Sequence, residues 1–210
     1  MGQQGNHPPT MAKRPITPVL RIAISIPHAA WLRRVPDARA RCRRLARAAL
    51  LAGGASARLA PGQTAELSLA LGDDVLLRQL NRDYRGQDKP TNVLSFAALE
   101  AGNQALGLPV MPLGDVAIAF ETTVSEARQQ GKTLTAHLSH LVVHGVLHLL
   151  GYDHLKKAQA DEMETLETAL LSRFGLSDPY RARVAPTRRR VATKPPKPAP
   201  ARRSTTRSCP

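Results

Sequence analysis

Eleven consecutive residues restrict this chain more than any other stretch: His144-Gly145-Val146-Leu147-His148-Leu149-Leu150-Gly151-Tyr152-Asp153-His154. Residues four apart on a helix share one face and stand about 6 Å from each other along the axis. His144 and His148 therefore present two imidazoles within reach of one ion. Gly151 supplies a left-handed turn, which glycine adopts without steric penalty, and the turn returns His154 as a third ligand. The chain must then fold with a helix that stops at Gly151 and leaves its last turns open. Three nitrogen donors with a free fourth position are the arrangement of catalytic zinc rather than structural zinc.

The spacing repeats the zinc-protease pattern H-E-x-x-H-x-x-G-x-x-H with one departure, Gly145 in place of the glutamate. That glutamate is the general base of such proteases, and glycine has no side chain to replace it. The residues predict a metal hydrolase that is not a protease. His137 and His140 precede the motif, and at 100° per residue the four histidines fall within about 80° of one another. His140 is a poor third ligand, because three residues at four-residue steps spread over about 12 Å nearly in line. His137 and His140 are expected to be core or supporting histidines satisfied by hydrogen bonds. Asp153 has three readings: a metal ligand, a carboxylate that orients a ligand imidazole, or a cap for the turn.

Periodicity places strands at Leu20–Ile26, Glu66–Leu71, Asn92–Phe96 and Gly114–Phe120. Helices are predicted over Arg39–Leu51, Asp74 to about Arg82 with Asp73 as N-cap, Glu121–Gln130, Thr133–Leu150 and Ala158–Phe174. The last has Met163, Leu166, Leu170 and Leu171 on its inner side. Strands and helices mix within one core, so the class is α+β or a mixed-sheet α/β layer, with about four strands packed against helices. Apolar residues make up 42% of the 210 and aromatics only 3%, so the core is aliphatic. Two distant cysteines, Cys42 and Cys209, exclude a disulfide framework and a cysteine zinc cluster and fit a reducing compartment. No apolar run is long enough to span a membrane, and a cytoplasmic location is expected.

Charge divides the chain. Residues 1–50 carry ten basic and one acidic side chain, residues 51–180 ten and fifteen, and residues 181–210 ten and none. An acidic body between basic ends suits a polyanionic partner, most simply nucleic acid; the ends could equally be solubilising. Arg43, Arg44 and Arg47 could face RNA or form an ordinary solvated helix face. The expected organisation is a flexible leader over 1–18, a folded unit over 19–180, and a basic Pro/Arg-rich tail over 181–210 that cannot offset its own ordering entropy and is disordered.

With these residues in view, the chain resembles the YbeY family of bacterial endoribonucleases, the rRNA maturation factors. Beyond the histidine motif, Tyr84-Arg85-Gly86-Gln87-Asp88-Lys89-Pro90-Thr91-Asn92-Val93-Leu94-Ser95-Phe96 resembles the family's second signature. Leu113-Gly114-Asp115 resembles its third, and Leu166-Glu167 with Gly175 to Tyr180 its C-terminal helix and ending. Ala97 stands where the family commonly has proline. The resemblance implies a zincin-like fold, one Zn2+ per chain on His144, His148 and His154, and cleavage of single-stranded RNA. It further implies 16S rRNA 3′-end maturation from a precursor and ribosome quality control, with Arg85 and His144 as catalytic residues. Taken alone, Arg85 reads as a loop arginine paired with Asp83 or Asp88. Two other functions stand beside this one: a metal-dependent hydrolase of another substrate, and a non-catalytic ribosome-associated module with structural zinc.

Overall fold

A computed structural model describes residues 19–60, 62–98 and 109–181. The leader over 1–18 and all but the first residue of the basic tail lie outside the described residues. The chain runs β1 (Val19–Ser25), α1 (Ala30–Arg34), α2 (Ala38–Ala52), a 3-10 turn (Ala55–Arg58), β2 (Thr64–Gly72) and α3 (Asp74–Arg85). It continues through β3 (Val93–Ala97), β4 (Val110–Ala119), α4 (Phe120–Gln129), α5 (Leu134–Leu149) and α6 (Lys157–Arg173). The class is α+β, with a four-stranded mixed sheet in the order β1-β2-β4-β3. β1, β2 and β4 run parallel, and β3 pairs antiparallel to β4 at one edge.

The alternation seen in the sequence sorts side chains onto two faces, as a period of two requires. Leu67, Leu69 and Leu71 of β2 and Val116 and Ile118 of β4 enter the main core with residues of α2, α5 and α6. Leu94, Ala117 and Ala119 point the other way, onto Leu77 of α3. β3 is thus shared: Val93, Ser95 and Ala97 line the α5 side, while Leu94 and Phe96 pack under α3.

Three expectations change. Phe120 does not end a strand; it opens α4, and its ring meets the Trp31 ring edge-on at 5.1 Å. The five-residue α1, hidden between two prolines, buries Trp31 completely, and its indole N–H donates to the Gly72 carbonyl at 2.9 Å. The inner side of α6 also carries Glu167, fully buried beside Met163, Leu170 and Leu171, while Leu166 packs half-buried against the same core. On α2, Arg41 and Arg44 lie by Asp37, and Arg43 and Arg47 are exposed. No helix among the described residues is long and apolar enough to cross a membrane.

Candidate metal centre

Helix α5 begins where the Thr133 hydroxyl accepts the Ala136 N–H at 3.1 Å, a serine/threonine-type cap on the first turn. Leu138, Leu141, Val142, Val146, Leu147 and Leu149 bury the helix against its neighbours, leaving its histidine stripe as the polar side. The helix crosses β3 and β4 closely at Gly145. A Cβ there would stand 2.9 Å from Val116 Cγ1 and 3.1 Å from Ser95 Oγ, and the Ser95 hydroxyl donates to the Gly145 carbonyl at 3.1 Å. The missing glutamate is therefore a packing requirement as well as a chemical absence.

At the other end of α5 the chain reverses. Gly151 N–H donates to the His148 carbonyl at 2.9 Å and Tyr152 N–H to the Leu147 carbonyl at 3.2 Å, around a Gly151 φ of 80°. This glycine-terminated cap carries His154 back over the last turn. Its ring centroid lies 5.8 Å from that of His144 and 5.1 Å from that of His148, and the His144 and His148 centroids are 4.5 Å apart. One nitrogen from each of the three lies within 4.8 Å of the others, so the group can hold a metal ion. The Asp153 carboxylate accepts the His154 backbone N–H at 2.7 Å and lies 4.0 Å from His154 Nδ1, so it sits at the turn and beside the ring without joining the metal-capable group.

The donor chemistry fits a cation. His144 Nε2 and His148 Nε2 face each other at 3.1 Å, and two nitrogens bound at about 2.0–2.1 Å to a tetrahedral ion stand about 3.4 Å apart. Burial, followed by the neighbouring His144 and His154, pushes the His148 pKa down to about 4, so its lone pair is free at neutral pH. His154 is the open member of the trio, with its side chain 58% exposed against 24% for His144.

Beneath the trio lies a residue that the motif does not contain. Glu167 of α6 is fully buried, and its carboxylate accepts from His144 Nδ1 at 2.8 Å, from His140 Nε2 at 2.8 Å and from the Tyr180 hydroxyl. Burial opposes its charge, but the bonds from His140, His144 and Tyr180 outweigh it and hold the carboxyl at about 2. Burial and the same bond raise the Tyr180 hydroxyl above its ordinary value, keeping it a donor. The sequence did carry a signal for Glu167: a carboxylate on the inner stripe of an amphipathic helix has to be paired. His137 meets a carboxylate too, Glu126, at 2.7 Å. Both supporting histidines are therefore hydrogen-bonded through Nε2, while the Nδ1 of each is buried without a hydrogen-bond partner among the described residues.

Arg85 is not in a loop but is the last residue of α3. Neither suggested acid holds it, because Asp83 pairs with Arg82 at 2.9 Å and Asp88 with Arg78 at 2.7 Å. Arg85 instead reaches over the β3 edge, donating to the Ser95 carbonyl at 3.2 Å. There it lines, with Asn92, Ser95 and the three histidines, a cavity of about 490 Å³. The arrangement sets a trio able to hold a cation and a guanidinium around one open pocket, a combination suited to an anionic substrate such as a phosphodiester.

Comparison with known proteins agrees over most of the chain. Residues 34–175 match the family model described as "Endoribonuclease YbeY". The "Endoribonuclease YbeY" of Paramagnetospirillum magneticum is 53% identical over 167 residues, covering 79% of this chain and 98% of that protein. The protein of the same name from Rhodospirillum rubrum is 51% identical over 164 residues, covering 77% of this chain and 82% of its own. Among solved structures, the solution structure of TM1509 from Thermotoga maritima aligns with a TM-score of 0.42 at 22% identity, covering 78% of this chain and 99% of that one.

Proposed function

Since the chain belongs to the Endoribonuclease YbeY family, we propose that it is a zinc-dependent endoribonuclease that cuts single-stranded RNA. Its place would be the cytoplasmic 3′-end maturation of 16S rRNA precursors and ribosome quality control. His144, His148 and His154 would hold one Zn2+, with Arg85 and His144 as the catalytic residues. The observation that carries this reading is the pair of imidazole nitrogens at 3.1 Å in the cavity that Arg85 lines. The ribosomal role rests on family membership alone.

When bound, zinc supplies Lewis acidity toward phosphate oxygens and acidifies water. The protein's own groups do the rest. One Arg85 nitrogen is spent on the Ser95 carbonyl, which aims the guanidinium into the pocket and leaves its other donors for a phosphate. His144 is oriented through Nδ1, so its Nε2 lone pair faces the pocket. Gly145 offers no proton acceptor, and its contact with Val116 leaves no room for one, which disfavours peptide hydrolysis. We further propose that residues 19–180 form the catalytic unit and that the basic segment 181–210 adds phosphate contacts outside it.

The test pairs metal content with cleavage of single- and double-stranded RNA. Wild-type protein should bind one zinc and cut the single strand, chelation should stop it, and His148→Ala should lose both metal and activity. Arg85→Ala should keep its zinc and lose about 100-fold or more in cleavage, the scale of one preorganised charge-stabilising donor. Undiminished cleavage by a stringently purified His144→Ala/His148→Ala protein would refute the reading.

A further inference from the structure

A fully buried carboxylate needs a reason. Removing an ionised group from water costs several kcal/mol, and the neighbours of Glu167 along α6, Met163, Leu170 and Leu171, are apolar and buried. A leucine would fit that stripe with no such cost. Glu167 is met instead by three donors from two other parts of the chain: His140 and His144 on α5, and Tyr180 beyond the end of α6. A carboxylate only accepts, so each atom that faces it carries the hydrogen. For His144 this places the proton on Nδ1 and leaves the Nε2 lone pair directed at His148.

We propose that Glu167 is the positioning residue of this centre: it fixes the tautomer and ring orientation of His144, and His140 and Tyr180 are the donors that lock the carboxylate in place. The inference rests on the reading of His144 as a metal ligand. Tyr180 is itself held, because its backbone N–H donates to Asp178 Oδ1 at 2.9 Å and Lys132 Nζ donates to the preceding Pro179 carbonyl at 2.6 Å. The segment after α6 thus reaches Glu167 through one hydroxyl, and the Tyr180 ring also meets the His140 ring of α5 edge-on at 5.5 Å. The second set of metal-capable groups, His140, His144 and Glu167, is on this view the outer support of the first. Its contacts are hydrogen bonds of 2.8 Å, and His144 turns its other nitrogen to the trio.

The experiment uses the full 210-residue chain, read by zinc Kd in competition with a chromophoric chelator and by imidazole 15N NMR of the metal-free protein. In the wild type His144 should show a protonated Nδ1 and a bare Nε2. Glu167→Gln keeps the shape but turns an amide donor toward a donor. It should raise the zinc Kd about 10- to 100-fold, the usual effect of losing such a partner, and mix the His144 tautomers while circular dichroism is unchanged. Tyr180→Phe, which deletes one hydroxyl from a partly buried side chain, should raise Kd in the same direction by a smaller factor. It serves where Glu167→Gln does not fold. A folded Glu167→Gln with unchanged zinc Kd, or a Tyr180→Phe with unchanged Kd and tautomer if only that variant folds, overturns the role of Glu167. A wild-type Nε2–H tautomer overturns it too. Failure of the wild type to bind zinc would instead overturn the centre itself, and this inference with it.

Discussion

Gly145 separates two explanations that look alike in one dimension. Read as chemistry, it is a protease motif without its base; read as packing, it is where α5 touches the sheet. Val116 Cγ1 at 2.9 Å is the branch of a stiff side chain and cannot swing away as a long one would. Gly145→Ala should therefore lower stability by about 1–2 kcal/mol, because overpacking of about 1–3 kcal/mol exceeds the helix-propensity gain of up to about 1 kcal/mol. Urea unfolding measures this, and a stabilised variant would show that the helix can shift off β4. The two other site residues beyond the motif, Arg85 and Glu167, were legible to different degrees. Arg85 was visible as part of a signature, but its freedom from Asp83 and Asp88 depends on Arg82 and Arg78 occupying those acids. Glu167 was visible as part of the C-terminal resemblance but without a role, since the donors that justify its charge lie 13 to 27 positions away.

At the scale of elements, most segments were legible, the five-residue β3 among them, and α1 was not. β2, α2, α5 and α6 fall within a residue or two of their predicted bounds, because their apolar spacing and glycine stops are local signals. α1 was missed because five residues give less than two turns of period, and its stability comes from the burial of Trp31. The turn after α5 shows how a local signal returns His154 to the histidines of the helix. A Cβ at Gly151 would meet nothing within 4 Å, so Gly151→Ala is disfavoured only by the left-handed φ of 80°. The cost should be about 1–2 kcal/mol. If the turn relaxes to avoid it, His154 moves off the trio. Thermal unfolding should show the loss with chelator present, and a larger loss with zinc, since the weakened site binds the folded state less. An equal loss in both conditions would mean that His154 is no ligand.

The whole molecule sets how the protein answers acid. His148 is held at about 4 against an ordinary 6.5, so between these values the unfolded chain takes a proton that the folded chain refuses. Its contribution is complete above about pH 6.5 and lost as pH falls toward 4. Burial lowers His137 as well, which acts in the same direction below its ordinary value. Glu167, held at about 2 against an ordinary 4.5, contributes fully above about pH 4.5 and loses that contribution as pH falls toward 2. The metal-free protein should thus lose stability steadily on acidification from neutrality, read as a falling urea midpoint. A flat profile from pH 7 to 5 would contradict the burial of these histidines. By itself the sequence determined the helix, the glycine turn, the spacing of the three imidazoles and the family, because each is carried by residues close in the chain. Only the tertiary structure decided that α6 puts a carboxylate behind His144, that α3 sends Arg85 across an edge strand, and that β4 leaves Gly145 no room. Those contacts join residues 10 to 29 positions apart, and no local periodicity records which distant surfaces will meet.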